Sequence, residues 1–204
     1  LMWALMALGV YITFRVLDIA DLSVEGSFPL GAAVAATALA SGYGVTAAFL
    51  LAAIAGALAG IVTGILTTKL KIPPLLAGIL TMIGLYSVNL HVMGKANVAL
   101  LRVDTVFSYA AGMGLTSDMA MMAVGLVGVI LYWFFGTELG TAIRATGCNS
   151  QMARAQGVNT NSMIVLGLLI SNALVALSGA LVCQANGFAD VGMGTGTIVI
   201  GLAS

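Results

Sequence analysis

MAMMAVGLVGVILYWFF (Met119–Phe135), GTELGTAIRATGCNSQMARAQGVNTN (Gly136–Asn161) and SMIVLGLLISNALVALSGALV (Ser162–Val182) follow one another without a gap. The outer two pieces are hydrocarbon, and each has the roughly 17–25 apolar residues that carry a helix across a bilayer. The middle piece is polar. Its two arginines, Arg144 and Arg154, stand among alanines and small or capping residues. A turn between two spans needs only a few residues, and this island is long enough for two short helices broken near Gly147, Cys148 and Asn149. Something outside the bilayer is expected to use it, as a docking surface for a soluble partner on the cytoplasmic side.

Composition agrees with the flanks. The chain has 204 residues, 61% hydrophobic and 7% charged, against about 25% charged in a soluble domain. It cannot cover a water-facing surface, so an integral membrane protein is expected. Strand-type alternation is absent, which disfavours a barrel. Zero net charge implies no nucleic-acid partner. Cys148 and Cys183 form no ligand-spaced cluster and read as free thiols. The opening LMWALMALGVYITF lacks a basic start and a cleavage site, so a membrane helix is expected there rather than a signal peptide. With no initiator methionine and a last stretch, GTIVIGLAS, inside an apolar run, both ends look cut.

Leu1 to about Leu17 reads as a first span. Arg15, Asp18, Asp21 and Glu25 then crowd into a stretch with Ser23, Gly26, Ser27 and Pro29, a composition that marks broken backbone facing water or protein. Two readings stand: an interfacial turn with Arg15 paired to a nearby carboxylate, or a part of the transport path. Leu30–Ala40 is an alanine-rich helix suited to close packing, and SGYG (Ser41–Gly44) a tight turn. The helix from Val45 to about Leu66 carries Gly56, Gly60 and Gly64 four apart. That ridge lets backbones approach, within the subunit or against a second copy, the first being expected. TTKLKIPP (Thr67–Pro74) is a short loop ended by prolines that can start the helix Leu75–Val92. His91, the only histidine, reads as an interfacial hydrogen-bonding residue rather than a proton relay, and no histidine-based metal site exists. The middle of Met93–Asp118 is expected to lie on the membrane surface as an amphipathic helix. Met119–Phe135 crosses and ends in an aromatic belt; Met163 to about Gln184 crosses again. GFADVGMGTGT (Gly187–Thr197) reads as flexible, and Ile198 opens a further span. Lys69 and Lys71 lie in one connection and Arg144 and Arg154 in another, two spans apart, so both face the cytoplasm by the positive-inside rule.

Phosphate-cradling and zinc-protease motifs and any paired nucleophile and base are missing. Scarce intramembrane charge, glycine packing and a large polar island fit a conduit driven by a separate motor. Such a motor must push on something rigid, so a short helix has to protrude between two spans.

The island resembles the coupling-helix region of bacterial ABC importer permeases of the branched-chain amino acid and ribose type. Their pattern, T-x-x-G-x-A-x-R-A followed by A-x-x-x-G-[IV]-N, is met by Thr137, Gly140, Ala142, Arg144 and Ala145, then Ala153, Gly157, Val158 and Asn159. SNALVALSGALV, with Ser171, Ala176, Ser178 and Gly179, is similar to the family's next helix, and LKIPPLLAGILTMIGL to the start of its fourth span. Upstream, Asp21, Leu22, Ser23, Val24, Gly26 and Ser27 match the IDLSVGS of ribose-like members, with Glu25 as an extra residue and the usual Gly-Gly absent. The LSVEGSFPLGA wording is nearest to a subgroup of amino-acid permeases, some associated with aromatic amino acids.

The resemblance implies an all-α, polytopic transmembrane bundle: a truncated ABC importer permease fold with re-entrant or broken segments. Residues 1–204 would form one permease domain, with the coupling region at about 136–161 and two or three C-terminal spans missing. It implies an inner-membrane transporter subunit and not an enzyme, carrying a small polar solute, an amino acid of branched-chain or aromatic type. Its partners would be cytoplasmic ATPases that hydrolyse the ATP, a second permease copy, an extracytoplasmic substrate-binding protein and membrane lipid. It implies that Thr137, Gly140, Arg144, Ala145, Gly147, Arg154 and Gly157 build the coupling element, with Arg144 meeting acceptors on the ATPase. Asp21, Ser23, Glu25 and Ser27 would line the translocation path. No cofactor or metal is expected. Two other classes are weighed against this one: a secondary transporter or channel not driven by an ATPase, and an intramembrane enzyme, for which no nucleophile or metal cluster is found.

Overall fold

The computed structural model describes residues 2–100 and 116–203, with side chains from Val124 onward in the helix that opens at Thr116. In chain order these are α1 (Ala4–Tyr11) running into a π-helical turn (Ile12–Val16), α2 (Val24–Ala40), α3 (Val45–Thr68), α4 (Pro74–Met93) and β1 (Asn97–Ala99). There follow α5 (Thr116–Phe135), α6 (Glu138–Cys148), α7 (Ser150–Ala155), α8 (Thr160–Asn186), β2 (Phe188–Asp190) and α9 (Thr197–Ala203). The surface helix expected around 101–115 lies outside the described residues.

Among the described residues three helices are long and apolar enough to cross a membrane: α3, α4 and α8. The apolar part of α5 and the amphipathic α6 make a bent pair, turning by 78° at Gly136–Thr137. Two shorter apolar pieces, Ala4–Val16 and Val24–Ala40, rise only about 20 and 25 Å at 1.5 Å per residue. Each falls short of the roughly 30 Å hydrocarbon core. The turn between them buries Leu17, Asp21 and Ser23 and leaves Asp18 and Ala20 exposed.

The 27-residue α8 is the central post. Against it α3 runs antiparallel and lays down the predicted ridge. A Cβ on Gly56 would meet Asn172 O and Ala176 Cβ, one on Gly60 the Leu168 carbonyl, and one on Gly64 the Val165 backbone. The ridge therefore packs within the subunit. Membrane helices gain no hydrophobic force from one another, and close backbone approach with its dispersion contacts replaces it. The other side of α3 shows Leu50, Ile54, Leu58 and Val62, all exposed, at four-residue steps. Lipid tails suit that stripe.

Alanine-rich α2 is buried on nearly every side, with Ala32, Ala33, Ala35 and Ala36 fully enclosed. It runs parallel to α8, with Gly31 on the Ala176 carbonyl and Gly179 on that of Phe28, approaches that leave no room for a Cβ. The helix begins at Val24, six residues before the start expected from the alanine run, and contains Pro29. Proline has no N–H, so the Glu25 carbonyl loses its helical donor. Gly194 lies against that carbonyl, and tertiary packing keeps the helix going where the local cue says break.

Pro74 opens α4 at its first turn, as expected. The stretch read as a flexible loop at Gly187–Thr197 is instead built into the fold. β2 pairs antiparallel with β1, Val98 opposite Ala189, and the chain then turns back along α2. Lys69 and the island's Asn159 and Asn161 line one cleft at the same end of the bundle, so the two basic connections share a face.

Candidate functional site

The island folds as two short helices broken at Asn149, and its sequence explains each corner. Thr137 starts α6, and a Cβ on Gly140 would strike Phe134 O and the Phe135 Cα, so glycine permits the sharp exit from α5. Gly140, Ile143 and Thr146 form the buried face of α6, the i, i+3 spacing of an amphipathic helix. Gly147 sets that face onto the end of the α1 segment, since a Cβ there would collide with the Val16 carbonyl. Asn149 caps α7, its Oδ1 accepting from Gln151 N at 3.1 Å and Met152 N at 3.0 Å. Gly157, at φ +87°, takes the left-handed turn that ends α7. Asn159 then caps α8 through Ser162 N at 3.4 Å.

The two arginines tie this unit to the spans on either side. Arg144 Nη2 donates to the Phe135 carbonyl at 2.5 Å, an acceptor at the C-terminal end of α5. Arg154 Nε donates to Thr160 Oγ1 at 2.6 Å and its Nη2 to Asn161 Oδ1 at 3.1 Å, at the first turn of α8. Charge-assisted bonds of this kind are roughly twice as strong as neutral ones. Outward the island presents Leu139, Ala145, Cys148 and Met152, all exposed.

Of the four path residues expected from the sequence, three are brought together and sealed from solvent. Asp21 Oδ1 accepts from Ser23 N at 2.8 Å, and its Oδ2 from Asn172 Nδ2 at 3.1 Å. Ser23 Oγ and Ser27 Oγ donate to Asn172 Oδ1 at 3.1 and 2.5 Å. Asn172 Nδ2 also reaches the Leu168 carbonyl at 3.0 Å. Asp21 takes its hydrogen bonds from Ser23 and Asn172, not from Arg15. Gly78 of α4 closes the knot from the other side, where a Cβ would crowd Leu22 N and Asp21 Oδ1. Glu25 stands apart, half-buried, with Oε1 accepting from Gly196 N at 3.1 Å, and it lines a cavity with Asn89 and Tyr86. The sequence reading gave no role to Asn172, the hub of the knot; the signal available was a lone amide in an apolar helix. Among the described residues no group of three or more His, Cys, Asp or Glu could hold a metal, and both cysteines are free thiols.

A tightly packed, mainly helical bundle with broken spans around a buried polar knot, and a stapled polar projection at one end, is the architecture of a polytopic membrane permease. The chain belongs to the family described as the permease component of the branched-chain amino acid transport system, which matches residues 1–204. It is a multi-pass inner-membrane transporter subunit. It is similar to the tyrosine transport system permease protein of Clostridioides difficile, 45% identical over 100% of this chain and 68% of that protein. An uncharacterized protein of Rickettsia prowazekii is 36% identical over 97% of this chain and 69% of its own length. The autoinducer 2 import system permease protein of Yersinia pseudotuberculosis is 30% identical over 94% and 54%. No solved structure matches.

Proposed function

We propose that this chain is the membrane-spanning subunit of an ATP-driven importer for an amino acid, with α6–α7 as the lever that a cytoplasmic ATPase grips. A second permease copy and an extracytoplasmic binding protein complete the assembly. The observation that carries the reading is the stapling of the island. Arg144 holds it to the end of α5, Arg154 to the start of α8, and Gly147 seats it on the Val16 carbonyl. A push on α6–α7 is thereby delivered to three membrane segments at once rather than absorbed by a slack loop. Thr137, Gly140 and Gly157 shape the lever, and Ala145 lies on its exposed face. Asp21, Ser23 and Ser27 hold the broken start of α2 to α8, and Glu25 faces the path. The relative at 45% identity is a tyrosine transport permease, which puts an aromatic amino acid first among solutes.

The test is Arg144→Glu in the assembled importer. A carboxylate beside the C-terminal carbonyls of α5 opposes the helix dipole and deletes the staple. ATP-driven amino-acid uptake should fall at least tenfold while the purified permease keeps its helical content and gel-filtration profile. Unchanged uptake would refute the lever, and uptake that follows an ion gradient without the ATPase would replace it with a secondary transporter.

A further inference from the structure

Where α3 ends and α8 begins, the two helices leave a cleft of about 480 Å³ between them. Both are long and apolar enough to cross the membrane, so the cleft lies at one membrane face. That face carries Lys69 and the island with Arg144 and Arg154, which makes it the cytoplasmic one by the positive-inside rule. The walls change character with depth. At the rim stand Lys69, Asn159 and Asn161; below them lie Ile61 and Ile65 of α3 and Val165 and Leu166 of α8. From Lys69 to Ile61 the helix descends about 12 Å at 1.5 Å per residue. The lower half is therefore at the level of acyl chains. Ile65 is also exposed, one turn beyond Val62 on the lipid-facing stripe of α3, so the cleft is continuous with the surface that meets lipid.

The two rim amides present their donor ends. Asn159 Oδ1 is taken by Ser162 N at 3.4 Å, and Asn161 Oδ1 by Arg154 Nη2 at 3.1 Å. Both amide nitrogens and Lys69 Nζ have no hydrogen-bond or ion-pair partner among the described residues. No aspartate or glutamate lines the cleft. One positive charge beside two free amide groups matches an anion with several acceptor oxygens. A small hydrated anion would leave the apolar half empty. An occupant that fills both halves carries its negative charge on a hydrocarbon tail.

We infer that the cleft binds one phospholipid with an anionic headgroup, drawn from the cytoplasmic leaflet. Its phosphate oxygens accept from Lys69 Nζ and from the Asn159 and Asn161 amides, and an acyl chain lies between Ile61 and Leu166. Basic pockets between membrane helices on the cytoplasmic side suit such headgroups. A phosphatidylcholine brings its own cation to the phosphate and gains less from Lys69. The site is independent of the importer reading, since it requires only that α3 and α8 span a membrane. It lies at the root of the island, beside the bonds that tie Arg154 to α8.

Thr68→Cys, which places a thiol in the cleft wall, tests it in the full-length permease with Cys148→Ser and Cys183→Ala. Labelling by N-ethylmaleimide, an uncharged reagent, is followed in nanodiscs of phosphatidylcholine with and without phosphatidylglycerol. Phosphatidylglycerol should slow labelling at least fivefold. Lys69→Gln, which keeps the reach of the side chain and removes its charge, should bring the two rates within twofold. Lys71→Gln removes a charge two residues away that does not line the cleft, and should leave the protection in place. Millimolar inorganic phosphate in phosphatidylcholine discs should not protect. Equal rates in the two lipids overturn the site. Protection that survives Lys69→Gln, or that Lys71→Gln removes equally, reduces it to the general charge of the membrane face and overturns it too. Protection by inorganic phosphate equal to that by phosphatidylglycerol overturns the lipid as occupant.

Discussion

Residues 17–27 and 136–161 both bring polar groups into an apolar chain, yet they satisfy them at opposite ranges. Asp21 is fully buried and bonds Asn172, 151 positions away. Asn149 is exposed and bonds the amides two and three positions on. The first region is held by other helices, so its integrity depends on the whole bundle. The second makes most of its own bonds and is joined to the bundle at three points. A lever needs the second arrangement, because it must keep its shape while a partner pushes on it. A hinge point between short spans needs the first, because its groups have no water to fall back on.

The comparison breaks most visibly at Asn172→Leu. That change strips the amide from Ser23, Ser27 and the Asp21 carboxylate together and leaves them buried. Each orphaned group costs about 1–3 kcal/mol, but interhelical bonds in membranes average only about 0.6 kcal/mol. We expect a net loss of about 3 kcal/mol, read as a lowered thermal midpoint of the purified permease. A loss below about 1 kcal/mol would mean that water reaches the knot and replaces the amide.

Gly147→Val comes next. Its side chain would have to displace the Val16 carbonyl, and overpacking of this kind costs about 1–3 kcal/mol. The larger effect should fall on transport: with α6 lifted off the α1 segment, ATP-driven uptake should drop at least tenfold while ATP hydrolysis by the motor continues. Full uptake by Gly147→Val would show that the lever does not act through α1.

What the sequence made legible follows the same division. The island's break, the prolines at the start of α4 and the glycine ridge on α3 are written in neighbouring residues or in a simple period, and the fold realises them. The partners of Asp21 depend on residues brought together from distant parts of the chain, which no local pattern encodes. Pro29 misleads for a related reason. Alone it signals a break, yet α2 runs through it, with Gly194 packed against the Glu25 carbonyl that Pro29 leaves without its helical donor. The β1–β2 pair, Asn97 against Asp190, was likewise out of reach, since three-residue strands carry no readable alternation.

The smallest effect sharpens the comparison from the other side. Asn149→Ala removes the cap of α7, where replacement of an asparagine cap costs about 0.5–2 kcal/mol. If the island is locally self-sufficient, that loss stays local. Amide exchange at Met152 to Ala155 should quicken about fivefold, the factor that corresponds to about 1 kcal/mol, while the thermal midpoint of the bundle hardly moves. Asn172 and Asn149 are the same residue type, so this pair of variants separates range from chemistry. A global shift from Asn149→Ala as large as that from Asn172→Leu would show that α7 is part of the bundle's core cooperativity. The island would then move with the spans as one body, and the lever's stiffness would have to come from them rather than from its own caps and staples.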